Sequence, residues 1–121
     1  MIQGFEEQTQ PLNDYERDTL LPLITLGLKT KVGQGKAITG SCIVDAMKRA
    51  GYTLDAPRLR KIVNHIRNND LLPGLVSTSK GYFVASTGKE IDECIISLTG
   101  RVEAIQGVIN ALKRQRIYIN H

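Results

Sequence analysis

The last quarter of the chain carries the most regular pattern in the sequence, a run of seven aliphatic residues spaced alternately four and three apart. This is the heptad spacing of helices that pack along one seam. It predicts a single long helix over about Lys89 to Arg116, with Ser86 or Thr87 as its N-cap. The seam has a positions at Ile95, Val102 and Ile109 and d positions at Ile91, Leu98, Ile105 and Leu112.

Two surfaces could cover this seam, a second copy of the chain in either direction or the core of the same chain. Gly100 and Gly107 both fall at the outermost f position, where no packing is lost. The flanking e and g positions offer no good charge pairs for a parallel zipper. Because three heptads make a helix longer than a compact domain of this size needs, we expect a homodimer.

The chain has the length of one domain, with 121 residues of which 41% are hydrophobic and 23% are charged. No apolar run approaches the roughly 18 residues of a membrane span, and Met1 to Gln10 is acidic and polar rather than signal-like. These features predict a cytoplasmic protein that does not associate with membranes.

The net charge of +4 is unevenly distributed. Residues 1–20 contain five acids and one Arg, whereas residues 21–86 contain ten Lys or Arg and three acids. A concentration of positive charge in the middle of a chain is typical of a surface that binds phosphate groups.

Capping residues mark the first three helices. Asn13 and Glu16 form a capping-box pattern, so a first helix should run from about Asp14 to Lys29, with a kink or a new start at Pro22. Thr39 should cap a second helix, about Gly40 to Ala50, and Gly51 should end it. The inward residues of the second helix are predicted to be Ile43, Val44, Met47 and Ala50.

The third helix, predicted over residues 55–69 with Asp55 as its cap, has an apolar side and a basic side. Leu59, Ile62, Val63 and Ile66 follow the i, i+3, i+4, i+7 pattern of one buried stripe. The opposite face and its flanks carry residues that can all hydrogen-bond to bases or phosphates: Lys61, Asn64 and Asn68 on the face, and Arg58, Arg60, His65 and Arg67 beside it.

A β-hairpin is predicted directly after the third helix. Leu75 to Ser79 and Gly81 to Ala85 alternate in hydrophobicity on either side of a tight turn at Ser79-Lys80-Gly81. Before the second helix, Lys31 to Lys36 reads as a flexible basic loop that lacks the residues of a nucleotide-binding P-loop.

This order of elements, with the run Arg60-Lys61-Ile62-Val63-Asn64-His65-Ile66-Arg67 and the hairpin ending in Gly81-Tyr82-Phe83, resembles the winged helix-turn-helix DNA-binding domain of many bacterial regulators, such as the N-terminal domain of biotin-operon repressors. The whole chain, with its acidic N-terminus and long C-terminal helix, looks most like small winged-helix proteins encoded by phages and prophages. The resemblance covers about residues 13–86. It implies a mainly α fold with a small β-hairpin (α+β) and a winged helix at 13–86. The rest of the chain is then an acidic arm at 1–12 and, at 87–121, the heptad helix as a candidate dimerisation element.

The resemblance also implies sequence-specific binding of double-stranded DNA by a transcriptional regulator. The third helix would enter the major groove, with Lys61, Asn64 and Asn68 as base-reading candidates. The wing, 75–85, would lie on the backbone. The phosphate-binding candidates are Arg58, Arg60, His65 and Arg67, with Lys80 at the wing tip. The alternative is a protein–protein interaction module of a phage replication or packaging assembly.

Catalysis and metal binding find little support in the sequence. The only histidines are His65 and His121, and the only cysteines, Cys42 and Cys94, form no C-x-x-C pair and are interpreted as buried small side chains. No nucleophile-His-carboxylate or HExxH arrangement can be assembled. We therefore expect no enzymatic activity, no cofactor, no metal and no small-molecule ligand.

Overall fold

The computed structural model describes residues 10–119, so most of the predicted acidic arm (1–12) lies outside the described residues. The described chain is mainly helical with one small antiparallel sheet, which confirms the α+β prediction. A π-helical segment, Glu16–Leu20, leads into α1, and the further elements are α2, α3, the strands β1 and β2, and a long α4. Their bounds are Leu21–Lys29 (α1), Gly40–Arg49 (α2), Ala56–Asn68 (α3), Leu75–Thr78 (β1), Gly81–Val84 (β2) and Gly88–Gln115 (α4).

The chain enters the first helix through the predicted capping box. The Asn13 backbone N–H donates to Glu16 Oε1, and the Glu16 backbone N–H donates to Asn13 Oδ1, both at 2.9 Å. The helix then widens into the π-helical segment, in which the Leu21 N–H bonds to the Glu16 carbonyl. Pro22 lacks an N–H and would clash with a carbonyl four residues earlier in a regular α-helix. The wider turn just before Pro22 therefore lets the backbone stay helical up to and through that residue.

The main core lies where the first three helices meet. Leu20, Ile24 and Leu28 pack against Ile43 of α2 and against the predicted stripe of α3. That stripe is confirmed, since Leu59, Ile62, Val63 and Ile66 are all fully buried. Thr39 and Asp55 cap α2 and α3 through their side-chain oxygens, as predicted.

Two predictions about α2 are wrong. Ala50 is predicted to face inward, but it is the C-cap of α2 and is exposed, and the core is filled beyond the helix by Leu54 of the linker instead. Cys42 is exposed because Ile43 takes the inward position in the first turn of α2. Gly51 has φ of 94°, the left-handed conformation expected for the residue that ends this helix.

The hairpin has a tighter turn than predicted and a third backbone segment beside it. Thr78 pairs with Gly81, so only Ser79 and Lys80 form the turn. On the other edge of β2, Ile38 and Tyr82 exchange two backbone hydrogen bonds of 2.9 and 2.8 Å. Gly81 has φ of 121°, and a Cβ there would collide with the Ile38 carbonyl. The predicted flexible loop before Ile38 contains a 3₁₀ turn, Gln34–Lys36.

Helix α4 begins on the hairpin and then leaves the rest of the protein. Thr87 Oγ1 accepts from the Glu90 N–H, which makes Thr87 the cap. Cys94 is buried against Val76 and Phe83 in a second small cluster, but the residues after it are almost all exposed. Over residues 10–119, no helix is long and apolar enough to cross a bilayer.

Candidate nucleic-acid interface

A buried carboxylate beneath α3 changes the roles of two predicted DNA-binding residues. Glu16 accepts hydrogen bonds from Lys61 Nζ at 2.7 Å and from Arg58 Nε at 2.9 Å, in addition to its capping bond with Asn13. Burial alone would raise the pKa of the Glu16 carboxyl, but the hydrogen bonds from Lys61, the Asn13 backbone and Arg58 outweigh it and lower the pKa. Glu16 is therefore held ionised as the counter-ion of two cations on α3.

The prediction that Lys61 is exposed is wrong, because only 8% of the residue is accessible. Helical spacing does place Lys61 opposite the apolar stripe, but Glu16, the first residue of the π-helical segment, lies against that side of α3 and binds the Lys61 ammonium group. A DNA contact from Lys61 would require breaking a buried ion pair, so Lys61 is a structural residue rather than a base reader.

Arg58 is likewise bound within the domain. Besides its ion pair with Glu16, it donates from Nη1 to the Thr53 carbonyl at 3.2 Å and stacks over the Tyr15 ring with its guanidinium carbon 5.6 Å from the centroid. Tyr15 in turn accepts from the Thr53 N–H through its hydroxyl. Arg58 thus joins the start of α3 to the first helix and to the linker before α3.

Arg67 connects α3 to the hairpin. Its Nε donates to the Leu75 carbonyl at 3.1 Å and its Nη2 donates to Ser77 Oγ at 3.2 Å. Both acceptors are neutral, so neither hydrogen bond pairs the guanidinium with a negative charge. These two bonds hold the Arg67 side chain against β1.

The remaining predicted residues on α3 lie at the surface to different degrees. Arg60 and Asn68 are exposed, whereas Asn64 and His65 are half-buried. Asn64, His65 and Asn68 line a polar groove that Gln10 and Pro11 also line, so the N-terminal segment runs beside the face opposite the stripe. Lys80 is exposed at the hairpin turn, where its backbone N–H bonds to Thr78 Oγ1.

A basic concave surface lies on the flank of α3 that faces the hairpin. It is a cleft of about 250 Å³ lined by three arginines, Arg60 and Arg67 from α3 and Arg101 from α4. Asn64, Ser77 and Tyr82 also line it, and no acidic residue does in the described part of the chain. None of the ion pairs found within residues 10–119 involves these three arginines.

Sequence reasoning missed Arg101, because in the heptad it is simply a g position beside the seam. Its proximity to Arg60 depends on the angle at which α4 leaves the hairpin. No local pattern in the sequence encodes that angle.

The predicted dimerisation seam is not covered by the rest of the described chain. Every one of its seven residues is exposed, from 37% for Ile91 to 64% for Val102. The alternative in which the helix folds back across its own core is therefore wrong. The apolar surface continues past the helix through Ile117, Tyr118 and Ile119, which are also exposed.

Metal binding has no candidate site within residues 10–119, where no three His, Cys, Asp or Glu side chains are grouped closely enough to hold an ion. No protein-family model, curated protein sequence or solved structure matches this chain.

Proposed function

We propose that the protein binds double-stranded DNA through α3 and the β1–β2 hairpin, as a winged helix-turn-helix module. The element order supports this proposal, and so does the backbone pairing of Ile38 with β2, which gives the hairpin the third short segment found in the winged-helix arrangement. The connection between α2 and α3 is short, as in a helix-turn-helix.

The observation that carries the proposal is the arginine-lined cleft between α3, the hairpin and α4. Three guanidinium groups without an acidic neighbour among the lining residues make a surface that attracts a phosphate backbone. In this proposal Arg60, Arg67 and Arg101 contact phosphates, with Lys80 as a further contact at the wing tip. Asn64 and Asn68 are the base-reading candidates, because an asparagine amide can pair with adenine in the major groove.

This assignment differs from the one drawn from the sequence. Lys61 and Arg58 are removed because Glu16 binds both, and Arg101 is added. The DNA-facing side is accordingly no longer centred on Lys61 but on the strip of α3 that carries Arg60, Asn64, Arg67 and Asn68. His65, which lines the polar groove, stays a phosphate-binding candidate.

The test is the affinity for a duplex measured by fluorescence anisotropy at several salt concentrations. We expect affinity to fall steeply with salt, by nearly one unit of logarithmic slope for each phosphate neutralised. The double variant Arg60→Ala, Arg101→Ala should bind more weakly and with a slope smaller by about two. Arg114→Ala, at an f position far along α4, is the matched control and should bind like the wild type. Absent or salt-insensitive binding would overturn the proposal.

The exposed apolar seam of α4 bears on the alternative function, a protein–protein interaction module. An unpaired seam of this length could dock a partner protein, as in an interaction module of a phage replication or packaging assembly. We propose instead that a second copy covers it, because the heptad spacing is self-complementary and symmetric dimers are the commonest oligomer. A DNA-binding homodimer would suit a cytoplasmic transcriptional regulator of the phage type, which is the role that the sequence resemblance implies.

A further inference from the structure

We infer that α4 pairs with α4 of a second copy in antiparallel direction and in one register, with Val102 of each chain facing Ile105 of the other. The inference rests on the proposed homodimer and adds its direction and alignment. It follows from three features of the described chain: the sequence of the heptad, a groove at the start of the helix, and the apolar residues at its end.

The heptad supports one antiparallel register above the others. If Val102 of one copy faces Ile105 of the other, two further pairs follow, which are Ile95 with Leu112 and Leu98 with Ile109. Six of the seven seam residues are then paired across the dimer. In antiparallel pairs the e positions of the two chains lie beside each other. This register places Asp92 of each copy beside Lys113 of the other, twice by symmetry, and both side chains are exposed and available for the pair.

Other alignments lose these contacts. Sliding the helices by one heptad, so that Val102 faces Leu98, also pairs six seam residues and leaves Leu112 rather than Ile91 unpaired. It separates Asp92 from Lys113, however, and places Arg101 beside Arg101 of the second copy, where like charges repel. A parallel pair brings g positions next to e positions of the following heptad, and these combinations, such as Arg101 with Gln106, contain no opposite charges. Only the proposed register combines a paired seam with complementary charge.

The start of α4 provides an apolar groove that a second helix could occupy. A cleft of about 250 Å³ is lined by Ile91, Ile95 and Leu98 together with Leu72, Leu75 and Val76, and its surface is mostly apolar although Arg67 and Asp70 also line it. In the antiparallel register the far end of the second helix reaches this cleft, since its Leu112 lies opposite Ile95. The apolar residues Ile117 and Tyr118 follow one turn later and would lie near Ile91. A parallel pair would leave these terminal residues far from the groove.

Disulfide cross-linking distinguishes the directions. Ile95→Cys and Leu112→Cys are made separately in a Cys42→Ser, Cys94→Ser background, with a second background that keeps the buried Cys94 in case its loss destabilises the fold. In the proposed register neither variant alone should cross-link, because equivalent residues lie roughly 25 Å apart along the axis. Mixing the two variants should yield a disulfide-linked heterodimer. Cross-linking of either variant with itself would show a parallel pair and overturn the inference.

Charge reversal supplies an independent readout. Asp92→Lys should weaken dimerisation by about 3- to 30-fold, since two exposed ion pairs per dimer are replaced by like-charge contacts. Combining it with Lys113→Asp should restore the wild-type affinity. Glu103→Lys has the same change in charge at an outward b position and serves as the control. An equal effect of Asp92→Lys and Glu103→Lys would contradict the register, whereas a 13.4 kDa particle at all concentrations would overturn the homodimer itself.

Discussion

Lys61 Nζ lies 2.7 Å from Glu16 Oε1, and both side chains are buried at the junction of α3 with the first helix. Glu16 also caps the first helix and binds Arg58, so one carboxylate fixes the start of one helix and the orientation of another. In the proposed DNA-binding domain, this ion-pair cluster would hold α3 in position without contacting DNA itself.

Replacing Glu16 by Gln should destabilise the fold strongly. The change leaves Lys61 buried without its counter-ion and weakens the capping box, and breaking a buried ion pair of this kind costs about 3–5 kcal/mol. Chemical denaturation followed by circular dichroism measures the loss. Glu103→Gln, on the exposed side of α4, is the control and should change the free energy of unfolding by less than about 0.5 kcal/mol.

The same carboxylate should make stability depend on pH in the acid range. Because the pKa of Glu16 is lower in the folded state than its ordinary value of 4.5, its stabilising contribution is complete above that value and is lost as the pH falls through the folded-state pKa. Glu90 should add to this loss of stability at acid pH, since hydrogen bonds from the backbone and hydroxyl of Ser86 lower its pKa in the folded state. Denaturation of Glu16→Gln between pH 7 and pH 3 should show a shallower loss than the wild type, and parallel curves would contradict this assignment.

Gly81 should be intolerant of any side chain. Its φ of 121° disfavours other residues, and an added Cβ would collide with the Ile38 backbone that pairs with β2. We expect Gly81→Ala to cost more than about 2 kcal/mol. Gly100→Ala is the contrasting control, because Gly100 lies in open space within α4 and Ala should there stabilise the helix by about 0.5–1 kcal/mol. Equal effects of the two substitutions on the melting temperature would contradict the close approach at Gly81.

If α3 reads bases, a base-contacting variant should lose more affinity for a specific duplex than for a random one. Once a preferred sequence has been selected, Asn68→Ala should lower the affinity for that sequence by about 1–3 kcal/mol and leave binding to random duplex nearly unchanged. Arg60→Ala should weaken binding to both duplexes equally, because Arg60 is proposed to contact phosphate rather than a base. Equal losses for Asn68→Ala on both duplexes would remove Asn68 from the base-reading set.

The antiparallel register predicts the spacing of the DNA half-sites. In this register Cys94, where α4 packs on the hairpin, lies opposite Lys113 of the second copy. The two hairpin contacts are therefore about 19 residues apart along the helix pair, which displaces the two domains by about 28 Å at 1.5 Å per residue. This displacement is close to one turn of B-DNA, about 34 Å. Selected duplexes should therefore contain two half-sites about one turn apart, and inserting five base pairs between them should abolish the tighter dimeric binding. Unchanged affinity after the insertion would show that the two domains do not bind together.

The sequence by itself determined the local structure. The capping residues Asn13, Thr39, Asp55 and Thr87 and the periodic stripe of α3 predict where helices begin and which side is buried, because hydrogen bonding at a helix end and hydrophobic periodicity depend on residues within one or two turns. The heptad of α4 and the position of the hairpin follow in the same way. These features sufficed for the α+β class.

Only the tertiary structure decided which cations face solvent. Lys61 lies opposite the apolar stripe by helical geometry and is nevertheless buried, because Glu16, 45 residues away in the chain, lies against it. Arg101 joins Arg60 and Arg67 because of the angle between α4 and the hairpin. The exposure of a charged side chain depends on how separate elements pack, and the pattern of charges along one helix does not contain that information.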